Sequence, residues 1–207
     1  LATNGIAKKP TCTDHTADTV TKPYIITKQP VVASAKAGMA KWVELAVKHS
    51  NGSLWNNGIW VVRDVRNRPG TISNHARGLA TDLSYRWLAQ KQCGIKDGRK
   101  TSLAYIVKLL EHADTLGIQL VIDYALQRSW KCDRGTWQPL PTVHDGDWYH
   151  VEVEPRLAND AHATKLAFDA VFGVITESSA YICLGWLPTE KVGHYDTHQQ
   201  TCHIAIH

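Results

Sequence analysis

The chain has 207 residues, 43% of them hydrophobic and 20% charged, with a formal net charge of +4. That length suits one well-packed domain with extensions, and the composition excludes wholesale disorder. No run of about 18 or more uncharged apolar residues occurs, which argues against a membrane span, and the basic residues are spread rather than clustered with aromatics, which argues against a nucleic-acid groove.

Residues 1–32 are rich in Thr, Lys and Pro and show little periodicity, so they read as an extended arm or linker. A helix is expected over about 33–49, where Ala35, Met39, Trp42, Val43, Ala46 and Val47 recur at helical spacing. Asn51-Gly52 and Asn57-Gly58 punctuate the next stretch. Ile59–Val62 reads as a short buried strand leading to Arg63, and Asp64–Thr71, with Pro69 and Gly70, as a loop.

Leu79–Tyr85 is expected to be a strand with Ala80, Asp82 and Ser84 on one face. A second helix is expected over about 102–116, capped by Thr101 or Ser102 and stopped by Gly117. Ile118–Tyr124 and Trp148–Val153 read as further strands, the latter placing Trp148, His150 and Glu152 on one face. A last helix fits Asp160–Phe172, ended by Gly173. The order of elements points to an α+β domain over residues 33–173 with a small, mostly antiparallel sheet flanked by helices, followed by an aperiodic extension over 174–207.

None of the five cysteines forms a close Cys-x-x-Cys pair, and the odd count leaves at least one thiol unpaired in a monomer. Cys183 with Cys202, or Cys93 with Cys132, are the pairs an oxidising compartment could close. The N-terminus lacks the basic head and apolar core of a signal peptide. It starts at Leu1 rather than Met, leaving processing or a longer parent chain open.

The chemistry is concentrated in two segments, Ser73–Asp82 and Asp147–His150. Catalytic zinc commonly takes three protein ligands from His, Asp and Glu, leaving a fourth position for water. His75 precedes a strand that carries Asp82, and a turn at Gly78 can bring the two side chains to one point. His150, on a separate strand, supplies a third ligand, and Asp147 is placed to act as general base. Singly these residues are unremarkable; the combination is what points to hydrolysis.

Ser73-x-His75-x-x-Gly78-x-Ala80-x-Asp82 followed by Asp147-x-x-His150 resembles the zinc D-Ala-D-Ala carboxypeptidase and L-alanyl-D-glutamate endopeptidase family, which includes VanY-type enzymes and phage endolysins. The resemblance spans roughly residues 35–155. It implies a hedgehog/DD-peptidase fold, one zinc ion held by His75, Asp82 and His150, and Asp147 as the acid/base residue. It also implies an Arg ahead of the first motif that holds a substrate carboxylate or polarises the scissile carbonyl. Arg63 is the first choice and Arg66 the second, because a guanidinium pairs with carboxylates in bidentate fashion.

Ser73 is expected to tighten the ligand turn and Trp148 to line the substrate groove. Glu152 reads as a supporting or exposed carboxylate, and His144 and Asp145 as neighbours of the base that could tune its pKa or, in a shifted loop register, take its place. Asp at position 147, where many carboxypeptidases carry Glu, tilts the expected activity towards an endolysin-like L-alanyl-D-glutamate endopeptidase. Phage members tend to show Asp-His-Val-His, so the inner Trp148-Tyr149 is a departure bearing on the branch.

The alternatives are a D-Ala-D-Ala carboxypeptidase and a non-catalytic wall-binding module that retains the fold. The implied partner is the peptidoglycan stem peptide, met at the bacterial cell wall by a phage-encoded or secreted protein, with the terminal extensions as candidate virion or wall anchors. The histidines of the tail, His194, His198, His203 and His207, match no metal motif and read as an irregular or partner-binding segment.

Overall fold

The computed structural model describes residues 21–26, 28–66, 68–85, 98–141 and 146–173. Among these residues twelve elements follow in order: α1 (Ala37–His49), β1 (Trp55–Gly58), β2 (Asp64–Val65), β3 (Arg68–Ile72), β4 (Ala80–Ser84), α2 (Gly98–Glu111), β5 (Ile118–Asp123), β6 (Arg128–Lys131), β7 (Trp137–Pro139), β8 (Trp148–Val153), α3 (Pro155–Asn159) and α4 (Ala161–Phe172). The fold is α+β. Six strands form an antiparallel sheet in the order β1-β4-β8-β5-β6-β7, and β2 pairs with β3 in a separate hairpin.

Because directly paired residues of an antiparallel sheet share a face, the register sorts the central strands into two surfaces. On one lie Thr81, Leu83, Tyr149, Val151 and Val121, matched as Thr81 to Val151, Leu83 to Tyr149 and Val121 to Val151. Leu83, Tyr149, Val151 and Val121 are buried in a single core with Met39, Trp42, Ile106, Leu109, Leu157 and Phe168 of the helices and Leu116 of the turn before β5. On the other face, Asp82 and Ile122 both pair with His150, and Ala80 and Leu120 both pair with Glu152. One face therefore stabilises the domain, leaving the other for polar chemistry.

The helices sit tightly. Trp42 meets Phe168 edge to face with ring centroids 5.6 Å apart, and its indole nitrogen donates to the Leu116 carbonyl at 2.9 Å. At Gly38 a methyl group would lie 1.9 Å from the Leu157 carbonyl oxygen, so α1 can approach α3 only through a glycine. Asp160 caps α4 by accepting from the amides of His162 and Ala163, and Gly173 ends it at φ 78°.

Three expectations from the sequence are corrected. Ile59–Val62 is not a strand: pairing with β4 falls on Trp55–Gly58, a bulge follows Asn56, and Trp60, Val61 and Val62 are exposed. Asp64–Thr71 is not a plain loop but the β2–β3 hairpin, in which the Asp64 carboxylate accepts from the Gly70 amide at 2.8 Å. Pro69 fits there because an exposed two-stranded ribbon leaves positions that need no ladder donor. The second helix starts and stops earlier than its periodicity suggests, at Gly98 and Glu111, with Ser102 buried inside it against the Tyr149 hydroxyl at 3.3 Å.

Residues 21–26 and 28–32 form neither helix nor strand and are docked to the domain. Lys22 donates its amide to the Cys132 carbonyl, Ile25 donates to the Gln119 side chain, and Val32 donates to the Ala76 carbonyl. Cys132 is a buried free thiol. Cys12, Cys93, Cys183, Cys202, His144, Asp145 and the extension over 174–207 lie outside the described residues. No helix among the described residues is long and apolar enough to cross a membrane.

Candidate metal centre

The turn that carries His75 is built by its own backbone. Ala76 donates to the Ser73 carbonyl, Gly78 to His75 and Leu79 to Asn74, while the Ser73 hydroxyl oxygen accepts from the His75 amide at 3.3 Å. Gly78 closes the turn at φ 65°, a left-handed conformation that favours glycine. The chain then enters β4, where the pairing of Asp82 with His150 sets two further ligand-type side chains side by side.

The result is a compact triangle of donors. His75 Nε2 lies 3.2 Å from His150 Nδ1 and 3.3 Å from Asp82 Oδ1, and His150 Nδ1 lies 3.1 Å from that same oxygen. This group can hold a metal ion. His75 is 2% exposed; its Nε2 faces the triangle, while Nδ1 is buried without a hydrogen-bond partner.

Electrostatics tie the cluster together. Burial works against the charge on Asp82, yet hydrogen bonds from His150 and His75 outweigh it and hold the carboxyl well below the usual carboxylate range. Burial likewise disfavours a protonated His150, but Asp82 and Glu152 overcome this and push its pKa up to about 9. The far side of the His150 ring faces Glu152, with Nε2 3.3 Å from Oε1. Burial alone would raise the Glu152 pKa, and its bonds with His150, Tyr24 and Asn74 lower it instead.

A cavity of about 890 Å³ adjoins the triangle, with His150 and Glu152 in its wall. Arg63, Arg66 and Ser73 line it, together with Arg68, Arg77, Lys131 and Arg134. Arg63 is tied to the ligand turn, since its carbonyl accepts from the Ser73 amide at 3.1 Å. The charges of Arg66 and Arg63 are felt at the half-buried Tyr124 phenol, where they oppose the upward push of burial and of Asp82. Trp148 packs its ring against Tyr124 at 4.7 Å and is not itself in the cavity wall.

Asp147 sits one residue before β8, its carbonyl accepting from the Tyr85 amide at 3.3 Å and the Ser84 hydroxyl at 3.2 Å. It does not line the cavity. The structure thus brings His75, Asp82 and His150 together, sets Arg63, Arg66 and Ser73 in the wall of a cavity they share with His150, and holds Asp147 just before β8 and Trp148 at its first residue. Tyr24 is the participant that periodicity and motif both miss, because it reaches Glu152 from 128 residues away in the sequence.

Comparison of the chain with protein-family models, curated proteins and solved structures gave no match.

Proposed function

We propose that this chain is a zinc-dependent peptidoglycan peptidase of hedgehog/DD-peptidase fold, acting as an endolysin-like L-alanyl-D-glutamate endopeptidase at the bacterial cell wall. The observation that carries the reading is the donor triangle beside a cationic cavity. Three ligands bonded to zinc at ~2.0–2.1 Å in tetrahedral geometry stand ~3.3–3.4 Å apart. The donors here are spaced 3.1 to 3.3 Å, close to that requirement before any adjustment.

The Nε2–H of His150 directed at Glu152 is the usual partner arrangement for a ligating imidazole. Zinc held there would supply Lewis acidity, polarising a scissile carbonyl and acidifying a water molecule. Within this reading Asp147 carries the proton towards the departing amine. Arg63, with Arg66 beside it, binds a substrate carboxylate or supports the developing oxyanion. The cavity volume lies towards the upper end of the usual range for ligand sites, which suits several residues of an extended peptide.

The deciding experiment is digestion of purified peptidoglycan by the zinc-loaded protein, with new termini identified by mass spectrometry. Release of N-terminal D-glutamate ends is the expected result. Free D-alanine as sole product would replace the endopeptidase with a D-Ala-D-Ala carboxypeptidase. Zinc content near one with wall binding but no cleavage would replace it with a non-catalytic module.

A further inference from the structure

We propose that Tyr24, on the segment before α1, is a positioning residue for the metal centre. Its hydroxyl joins the two halves of the site. It donates to Glu152 Oε2 at 2.5 Å, while the same carboxylate, through Oε1, accepts from His150 Nε2. It also accepts from Asn74 Nδ2 at 3.4 Å, and Asn74 is the residue immediately before His75. One phenol therefore connects the ligand turn to the carboxylate beside His150 on β8.

The physical consequence concerns the His150 ring. An imidazole can ligate through Nδ1 only while its remaining proton is on Nε2, and a carboxylate fixed at Nε2 enforces that tautomer and ring orientation. Glu152 needs to be held in place itself, because a carboxylate with a rotatable stem can turn away from the ring. Tyr24 supplies that restraint.

The segment carrying it is anchored on both sides. Lys22 pairs with Glu154 at 3.3 Å, and the Ile25 amide donates to Gln119 at 2.7 Å. The ring lies under the Lys131 ammonium, 4.5 Å from its centroid. Burial, with Glu152 beside it, keeps the phenol protonated and hence a donor.

This inference rests on the metal-centre reading, and the test separates the two. Zinc affinity is measured by competition with a chromophoric chelator for the unmodified chain, Tyr24→Phe, Glu152→Gln and the double variant, with the cobalt(II) d–d spectrum of each. Phe keeps the ring and its contact with Lys131 and removes only the hydroxyl.

Tyr24→Phe is expected to weaken zinc binding about 10-fold and to change the cobalt spectrum, and Glu152→Gln to weaken it about 10- to 100-fold. The double variant should bind no worse than Glu152→Gln alone, because Tyr24 acts through that carboxylate. Affinity within about twofold of the unmodified chain in Tyr24→Phe, or additive losses in the double variant, would overturn the assignment. Failure of the unmodified chain to bind one zinc would overturn the metal-centre reading itself. Melting curves of the metal-free variants serve as the folding control; a Tyr24→Phe loss of affinity that merely tracks lost folding also overturns the role.

Discussion

Loading the metal should displace one proton from His150, and the affinity should climb with pH until about 9. In the metal-free chain burial disfavours the charged ring, yet Asp82 and Glu152 raise its pKa to about 9. At pH 7 roughly one molecule in a hundred then offers an unprotonated Nδ1, which lowers the apparent affinity about 100-fold, or about 3 kcal/mol, below its plateau. The proton that leaves is the one shared with Asp82, since Nε2–H stays with Glu152. Titration calorimetry in buffers of differing ionisation enthalpy reads the release directly. Near pH 7 it should amount to at least one proton per metal, and the share from His150 should fall away above about pH 9, leaving only the proton of the metal-bound water.

A release near zero at neutral pH, with flat affinity between about pH 7 and 9, would refute the reasoning. The same shifts fix the stability of the metal-free chain. The raised pKa of His150 contributes fully below its ordinary value of 6.5 and is lost as pH rises through about 9. The depressed pKa of Asp82 contributes above its ordinary value of 3.8 and is lost as pH falls below it. Thermal unfolding of the metal-free protein should therefore be most resistant at about pH 5 to 7.

Three further outcomes are expected. Asp147→Asn should lower cleavage of wall peptide by about 100- to 10,000-fold while zinc content stays at one per chain, and retention of activity would remove Asp147 from the mechanism. Gly38→Ala should cost about 3 kcal/mol in urea unfolding, because the added methyl meets the backbone of α3 rather than a movable side chain; a loss under about 1 kcal/mol would contradict the packing. Raising salt from about 0.05 to 0.5 M should raise KM more than it lowers kcat, since Arg63, Arg66, Arg68 and Lys131 line the cavity; a salt-independent KM would sink the idea that they attract an anionic substrate.

The residues of the candidate ligand triangle were legible because their constraints are local. The turn from Ser73 to Gly78 needs a glycine at positive φ, and strand alternation puts Asp82 and His150 on known faces. Alternation in β8 likewise separated His150 and Glu152 from Tyr149 and Val151. The apolar run Ile59–Val62 misled because its neighbours decide its fate: β4 takes Trp55–Gly58 as its partner, and the bulge after Asn56 turns the following residues out of the sheet. The β2–β3 hairpin was hidden for the opposite reason. Its residues are largely exposed, so no hydrophobic period marks it.

By itself the sequence determined an α+β domain, the approximate positions of α1, α4, β4, β5 and β8, and three candidate ligands with Asp147 near one of them. Periodicity and turn chemistry encode such features within a few residues. Only the tertiary structure decided that the three donors stand 3.1 to 3.3 Å apart, that Arg63 and Arg66 share a cavity with His150, and that Tyr24 and Asn74 meet at Glu152. Those relations join residues as far as 128 positions apart, and they are set by sheet register and the docking of the segment before α1. No local pattern in the chain carries that information.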